Sequence, residues 1–561
     1  MRISTAQTRS DPPTQRVNVS DHLKAMAARS PHQRAVIAPV GRDPIGRVAY
    51  AHLTFRQLEA ESDRLAHGLV KAGVTRGTRT IVMVRPCIDF FALTFAFFKV
   101  GAVPVMVDPG MGLKRMLGCL AESRAEALVG IPPAHVLRLL APRYFKTVNT
   151  WITVGKRWFW GGPTLADLRR VDDRPFPVPD TQGDETAAIL FTTGSTGPAK
   201  GVVYTHKVFD AQVRAIGAHF DFQPDDIDLP TFPLFSLFDP ALGMAAVVPD
   251  MDPTKPAEVD PEKIIEAVEN QGITNMFASP ALLNTVGRYG KNKGTKLPSI
   301  RRVISAGAPV TPAIIETFLE MLDPEARLET GYGATEAMPV MMMESSEILG
   351  ETRALTDKGY GVCIGRPVPG ITVKIIRISD DPIPQWSPEL QQEEGEIGEI
   401  IVRGDQVTPG YFERPREDAL HKIKQGPAVW HRMGDVGWQD TKGRFWFCGR
   451  KSHRVVQGEK THFTIPCEAL FNTHPEVFRS ALVGVGPEGH QQPVICIEVE
   501  VGRETDLVNL NTELLALAQK NPLTQEIKCV LFHPGFPVDI RHNAKIFREK
   551  LAIWAAKKIK S

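Results

Sequence analysis

The chain has 561 residues, of which 43% are hydrophobic and 23% charged, and its 66 Lys and Arg nearly balance 64 Asp and Glu for a net charge of +2. That is the balance of a globular protein, and it argues against nucleic-acid binding through bulk positive charge. Seven cysteines, an odd count with no CxxC pair, argue against a zinc site or a disulfide framework and fit a reducing cytoplasm.

At roughly 100–200 residues per domain, the length makes about three to five domain-sized units. Residues 1–16 are polar and lack the apolar segment of a signal peptide. Phe55, Leu58, Leu65, Ala66, Leu69 and Val70 then recur at helical steps, with Gly73 as a stop. Residues 80–84 read as a strand, 90–99 as a buried helix and 103–107 as a strand. The apolar stretch 88–107 contains Asp89 and Lys99 and is broken at Gly101 and Pro104, so it reads as a buried helix and strand rather than a membrane span. Apolar strands alternating with helices mark a parallel sheet covered on both faces. The alternation returns over 261–322. After about residue 360 the texture turns β-rich and turn-punctuated, and the last 110 or so residues mix strands with helices at 506–519 and 546–558. The expected fold is α/β. A large N-terminal region of several subdomains (1–449) combines parallel βαβ sheets with a β-rich part, and a small mobile α+β domain follows (450–561).

The most informative string is AAILFTTGSTGPAKG. An apolar strand runs into Thr192, Thr193, Gly194, Ser195, Thr196 and Gly197, and Lys200 follows. Glycines let backbone N–H groups approach an anion, hydroxyls add donors and the lysine adds charge, which is the chemistry of a triphosphate cradle. The spacing is not that of P-loop ATPases. The plainer reading is a hairpin turn rich in turn-forming residues.

This string resembles the phosphate loop of the adenylate-forming superfamily, usually written TSGTTGxPKG, which contains acyl-CoA synthetases, nonribosomal peptide adenylation domains and firefly luciferase. Four further matches follow in the family's order. They are Gly331-Tyr332-Gly333-Ala334-Thr335-Glu336, Gly398-Glu399 through Arg403-Gly404 with Gly410-Tyr411, Trp430 through Asp435, and Gly449-Arg450. The resemblance runs from about residue 50 to the C-terminus. It implies that a carboxylate attacks the α-phosphate of ATP, a meeting of two anions that needs positive charge and oriented donors. By the same resemblance, residues 192–200 wrap the phosphates. Thr196 and Glu336 help hold Mg²⁺, whose preference is for hard oxygen ligands. Asp435 accepts the ribose hydroxyls, assisted by Arg450, and Tyr332 lies against adenine beside Gly307 and Ala308. Lys545 bridges carboxylate and phosphate, although the usual PKTxxGK reads here as Arg541-His542-Asn543-Ala544-Lys545. Taken alone, Asp435 reads as a surface acid and Lys545 as one more lysine near a basic helix.

Three departures from ordinary CoA ligases stand out. Ser236 occupies a position where many acyl-CoA synthetases carry histidine. Ser452, followed by His453 and Arg454, replaces the usual Asp or Lys of the hinge. The third is the Asn543-Ala544-Lys545 replacement itself. RHNAKI, together with FPLFSLFDPALG in the middle of the chain, is most similar to the β-lactone synthetases of bacterial long-chain olefin biosynthesis. That resemblance implies a 2-alkyl-3-hydroxy fatty acid as substrate, with ATP forming an acyl-adenylate and the 3-hydroxyl closing a β-lactone. It also implies association with neighbouring olefin-pathway enzymes. A tethered nucleophile acts at high effective molarity. A medium- or long-chain acyl-CoA synthetase, a fatty acyl-AMP ligase and a non-catalytic adenylate-binding protein stay open. The base for the hydroxyl proton stays open among Asp239, His206 and His453, with His206 the more structural of these. An acyl tunnel would be lined by Phe232, Phe235, Ser236, Phe238, Asp239, Met244 and Met338, with Met341, Met342 and Met343 nearby. Residues 151–160, WITVGKRWFW, form either a docking segment for lipid or partner or a folded loop.

Overall fold

The computed structural model describes residues 16–192, 199–499, 505–538 and 546–560. Thr193, Gly194, Ser195, Thr196, Gly197 and Lys545 lie outside them. The chain folds into a large N-terminal domain built on two sheets and a smaller C-terminal domain. In the first sheet, strands Thr150–Thr153, Ala127–Gly130, Arg79–Met83, Val103–Val107 and Thr186–Thr192 run parallel, and Lys200–Thr205 closes the edge antiparallel.

The helices that cover this sheet follow from their sequences. Phe55–Lys71 starts on a capping box in which Thr54 and Gln57 satisfy each other's backbone N–H groups. It buries Phe55, Leu58, Leu65, Ala66 and Leu69, and the chain leaves through Gly73 at φ +93°. It packs on Ile88–Val100, which is buried almost all round. Lys99 is tolerated inside that greasy helix because its ammonium lies 2.6 Å from Asp63 and 2.9 Å from Glu59; a buried charge needs such partners.

The second sheet joins a parallel part to an antiparallel one. Strands Ala245–Val247, Ile227–Pro230, Asn275–Ala278, Arg302–Ala306 and Arg327–Ala334 are parallel, and Ala337–Glu344 turns back antiparallel. It leads into the β-rich strands Val362–Pro367, Phe445–Arg450, Ala428–Gln439, Gly398–Gly404 and Ile371–Ile376. The smaller domain has its own core around Val477–Val485, Gln492–Val499 and Cys529–Phe532, covered by Thr464–Phe471, Leu507–Gln519 and Arg548–Lys560.

Two elements had no clear signal. The helix Ser20–Arg29 and the hairpin Arg34–Arg42 with Val48–Thr54 lie ahead of the first helix read from the sequence. The second hairpin strand is at best half-buried along its whole length, so it shows no alternation to read.

Candidate active site

Backbone pairing brings three distant motifs together. Thr192 and Lys200 are register partners across a hairpin, so residues 193–198 link two antiparallel strands rather than a strand and a helix. The outer strand Lys200–Thr205 is flanked by the Gly410-Tyr411 motif. Val203 N–H donates to Gly410 O at 3.1 Å, and Phe412 N–H donates to Gly201 O at 2.8 Å. Just upstream, Thr408 N–H donates to Glu336 O at 2.9 Å. Tyr204 fixes the same turn from below, its hydroxyl donating to Thr335 O at 2.5 Å. Gly333 has little room, since an added Cβ would stand 3.0 Å from Ala337 O.

Around this seam lies a charged cluster. Tyr411 donates its hydroxyl to Glu336 Oε1 at 2.7 Å, and burial together with Glu336 holds its pKa far above the usual phenol value. Lys200 Nζ lies 2.6 Å from Glu417 Oε2, donates to His421 Nε2 at 2.9 Å and sits 5.0 Å from the Tyr411 ring centre. Burial first and Lys200 second push His421 down to about 4, so the ring is neutral and accepts from the ammonium. Burial pushes Glu417 up, but Lys200 outweighs it and the carboxyl stays below its usual range. Behind them Lys422 is buried, donates to Thr408 O at 2.6 Å and is pushed down to about 8 by desolvation, with Glu336 pulling it back up. Lys200 and Glu336 are therefore neighbours through Tyr411. In the sequence Tyr411 stands in a motif with no role attached, and sequence reasoning misses Glu417, His421, Lys422 and Tyr204. The i, i+4 spacing of Glu417 and His421 on the helix Pro415–His421 was the available signal.

A second cluster stands on strand ends. Asp435 and Arg450 are direct register partners on adjacent antiparallel strands, and their side chains pair at 2.9 Å. Tyr332 donates its hydroxyl to Asp435 Oδ2 at 2.6 Å; burial first, then the Asp435 charge, raises its pKa well above the usual value. Tyr332 reaches there from Arg327–Ala334, whose Gly331 pairs with Ala306. Gly307 (φ +93°) and Ala308 follow that residue directly. This is the crevice beyond the carboxyl ends of parallel strands, where α/β folds bind ligands. Glu336 contributes to the field at Arg450, so the two clusters are within electrostatic reach.

Several motif residues turn out to be scaffold. Arg432 is buried and grips Glu399 through two hydrogen bonds, at 3.0 and 2.6 Å. Lys451 adds a second cation at 3.2 Å and also donates to Ser379 O at 2.6 Å. Arg454 pairs with Asp380. In the small domain Ile546 and Leu551 are buried, and Arg548 grips Glu468 at 2.7 Å.

The acyl side is a run of rings. Phe232, Phe235 and Phe238 are half-buried, their centres 5.5 and 6.3 Å apart in order, and Phe235 stacks on Phe277 at 4.2 Å. Met338 is half-buried, whereas Met244, Met341, Met342 and Met343 are buried core residues. Ser236 is buried and donates its hydroxyl to Pro233 O at 2.5 Å. Asp239 is buried against Asp228, a residue that no sequence motif marks. Desolvation raises both, Asp228 to about 7 and Asp239 well above its usual value with the Asp228 charge adding to the effect. Asp239 is thus an acid sharing a proton in the core, which argues against it as the base. His206 is likewise buried, accepts from Val19 N–H at 3.3 Å and is pushed down to about 4 by desolvation, so it stays neutral and structural.

With that geometry in hand, the chain belongs to the AMP-binding enzyme family, which it matches over residues 23–412. It is an ATP-dependent adenylate-forming ligase. It is 46% identical over 548 residues to the olefin beta-lactone synthetase of Stenotrophomonas maltophilia (strain K279a), covering 96% of this chain and 98% of that one. It is also 46% identical over 547 residues to the olefin beta-lactone synthetase of Xanthomonas campestris pv. campestris, covering 96% and 97%. Among solved structures, the amide bond synthetase McbA from Marinactinospora thermotolerans shares the fold at a TM-score of 0.75 and 22% identity, covering 96% of this chain and 99% of that one.

Proposed function

We propose that this chain is a cytoplasmic ATP-dependent β-lactone synthetase acting on a 2-alkyl-3-hydroxy fatty acid in long-chain olefin formation, alongside neighbouring enzymes of that route. The observation that carries this reading is the 46% identity, nearly end to end, with two olefin beta-lactone synthetases. The chain's own residues supply the chemistry. A carboxylate oxygen of the substrate attacks the α-phosphorus of ATP and pyrophosphate leaves. Residues 192–200 cradle the phosphates, and Lys200 exchanges Glu417 for phosphate oxygens. Asp435 has one oxygen on Tyr332 and the other on Arg450; these contacts hold a carboxylate, an acceptor for hydroxyl groups, where the ribose hydroxyls would lie. The 3-hydroxyl oxygen then attacks the activated carbonyl carbon, the acyl–phosphate bond breaks, and AMP and the hydroxyl proton depart.

Glu336 suits Mg²⁺: it is a half-buried hard-oxygen donor with one oxygen held by Tyr411 and the other without a partner among the described residues. Glu336 and Thr196 would hold the ion, which neutralises phosphate charge when bound. The boundary at Arg450 makes residues 450–561 the lid that carries Lys545, with Ile546, Arg548 and Leu551 anchoring the segment just after that lysine.

A test uses a 2-alkyl acid that lacks the 3-hydroxyl. It should release about one equivalent of pyrophosphate per enzyme and stall, because the tethered nucleophile is gone. Sustained AMP release from this analogue without CoA would contradict the tethered attack.

A further inference from the structure

The residues 131–163 stand apart from both catalytic clusters. They carry five cations, Arg138, Arg143, Lys146, Lys156 and Arg157, and no Asp or Glu. None of the five forms an ion pair among the described residues; Asp167, one element away, is held below the usual carboxylate range chiefly by its hydrogen bonds to Thr164, with the Arg157 charge a lesser contribution. The segment runs from the helix Pro132–Leu140 to the edge strand Thr150–Thr153 and the loop beyond it.

The four aromatics of residues 151–160 divide into two pairs. Trp160 is buried, stacks on His135 at 5.1 Å and donates its N–H to Thr153 Oγ1 at 2.9 Å. Trp151 donates its N–H to Gly161 O at 2.9 Å beneath the Arg138 guanidinium. These two pin the loop. Gly162 (φ +86°) completes it, since a Cβ there would meet Trp151 O at 2.4 Å. Trp158 and Phe159 are turned outward instead, 54% and 79% exposed. Leu139, one helical turn beyond His135 and so on the same face, is exposed as well, as is Leu140.

We infer that this face docks on the surface of an anionic lipid bilayer. A rigidly held loop that presents Trp and Phe between unpaired Lys and Arg has the make-up of an interfacial anchor. The rings enter the headgroup layer, and the cations meet anionic lipid. A protein partner fits less well, since interface cores are depleted in Lys and the segment brings no acid of its own. No helix among the described residues is long and apolar enough to cross a membrane, so the contact is peripheral. The surface stands independently of the proposed substrate; if that reading holds, docking brings the enzyme to acids whose two alkyl chains partition into lipid.

The experiment is sedimentation of the full-length protein with phosphatidylglycerol–phosphatidylcholine vesicles against pure phosphatidylcholine vesicles, with no substrate present. The protein should pellet with the anionic vesicles and lose binding as salt rises. W158S/F159S and K156E/R157E should each weaken binding, with each reversed charge costing roughly five-fold or more, while their melting temperatures match the wild type. Wild-type protein that stays in the supernatant with anionic vesicles overturns the inference. So do both variants pelleting as the wild type does, or self-association that W158S/F159S abolishes without any lipid binding.

Discussion

The nucleotide half and the acyl half of the site are built in opposite ways. The nucleotide half is polar and over-determined: Tyr332, Asp435 and Arg450 hold one another, as do Tyr411, Glu336, Lys200, Glu417 and His421. Strand register sets the Asp435–Arg450 contact, and the helix Pro415–His421 brings Glu417 and His421 to Lys200. The acyl half is an aromatic run, with Ser236 turned onto its own backbone and the Asp228–Asp239 pair buried nearby. Phosphate and ribose demand particular donors at particular places, whereas an alkyl chain asks only for apolar volume. Changes in the first half should therefore cost rate steeply, and changes in the second should shift selectivity and stability gently.

Lys545→Ala should produce the largest loss. Removing one cation from a developing phosphate charge costs about 10²- to 10³-fold in the adenylation rate, read as hydroxy-acid-dependent pyrophosphate release. Unchanged release would remove Lys545 from the chemistry. Asp435→Asn comes next. It weakens a charge-assisted contact worth about 1.5–3 kcal/mol, so KM for ATP should rise about 10- to 100-fold, with a smaller change in kcat. Glu417→Gln sharpens the picture from the other side: it releases Lys200 from its ion pair, and KM for ATP should fall a few-fold. A rise would show that Glu417 orients Lys200 rather than competing with phosphate.

Phe235→Ala should leave KM for ATP unchanged and alter the preferred alkyl length by less than about tenfold in kcat/KM, within the range that apolar pocket changes reach. A large rise in KM for ATP would collapse the distinction between the halves. The smallest effect is on stability. The Asp228–Asp239 pair is raised mainly by burial, so the fold holds a proton that the unfolded chain has lost. Stability from this pair is present at low pH and declines as pH rises toward about 7, the value to which Asp228 is pushed. Asp239→Asn should flatten the dependence of Tm on pH in that window; an identical slope would show that the pair is not shared in this way.

The same contrast explains what was legible in the sequence. The parallel sheets showed in runs such as residues 103–107, which form the strand Val103–Val107 as read, and in the helix Pro261–Gln271, whose start and stop are Asp260 and Gly272. The resemblance named Lys200, Glu336, Tyr332, Asp435 and Arg450, and the structure gathers them into two adjoining clusters. It did not separate scaffold from chemistry. Glu399 and Arg432 look like their catalytic neighbours in a motif, yet they form a buried pair that joins strands Gly398–Gly404 and Ala428–Gln439. Glu417 and His421 escaped notice because their meaning depends on a strand pairing more than two hundred residues away. Asp228 was a readable oddity, an acid in a buried parallel strand, but its partner Asp239 reaches it only through the tertiary fold.

The central claim is tested most directly by incubating the protein with ATP, Mg²⁺ and a 2-alkyl-3-hydroxy fatty acid, with and without CoA, and identifying the products. A β-lactone with AMP and pyrophosphate, formed equally well without CoA, is the predicted result. A CoA thioester without lactone would contradict it.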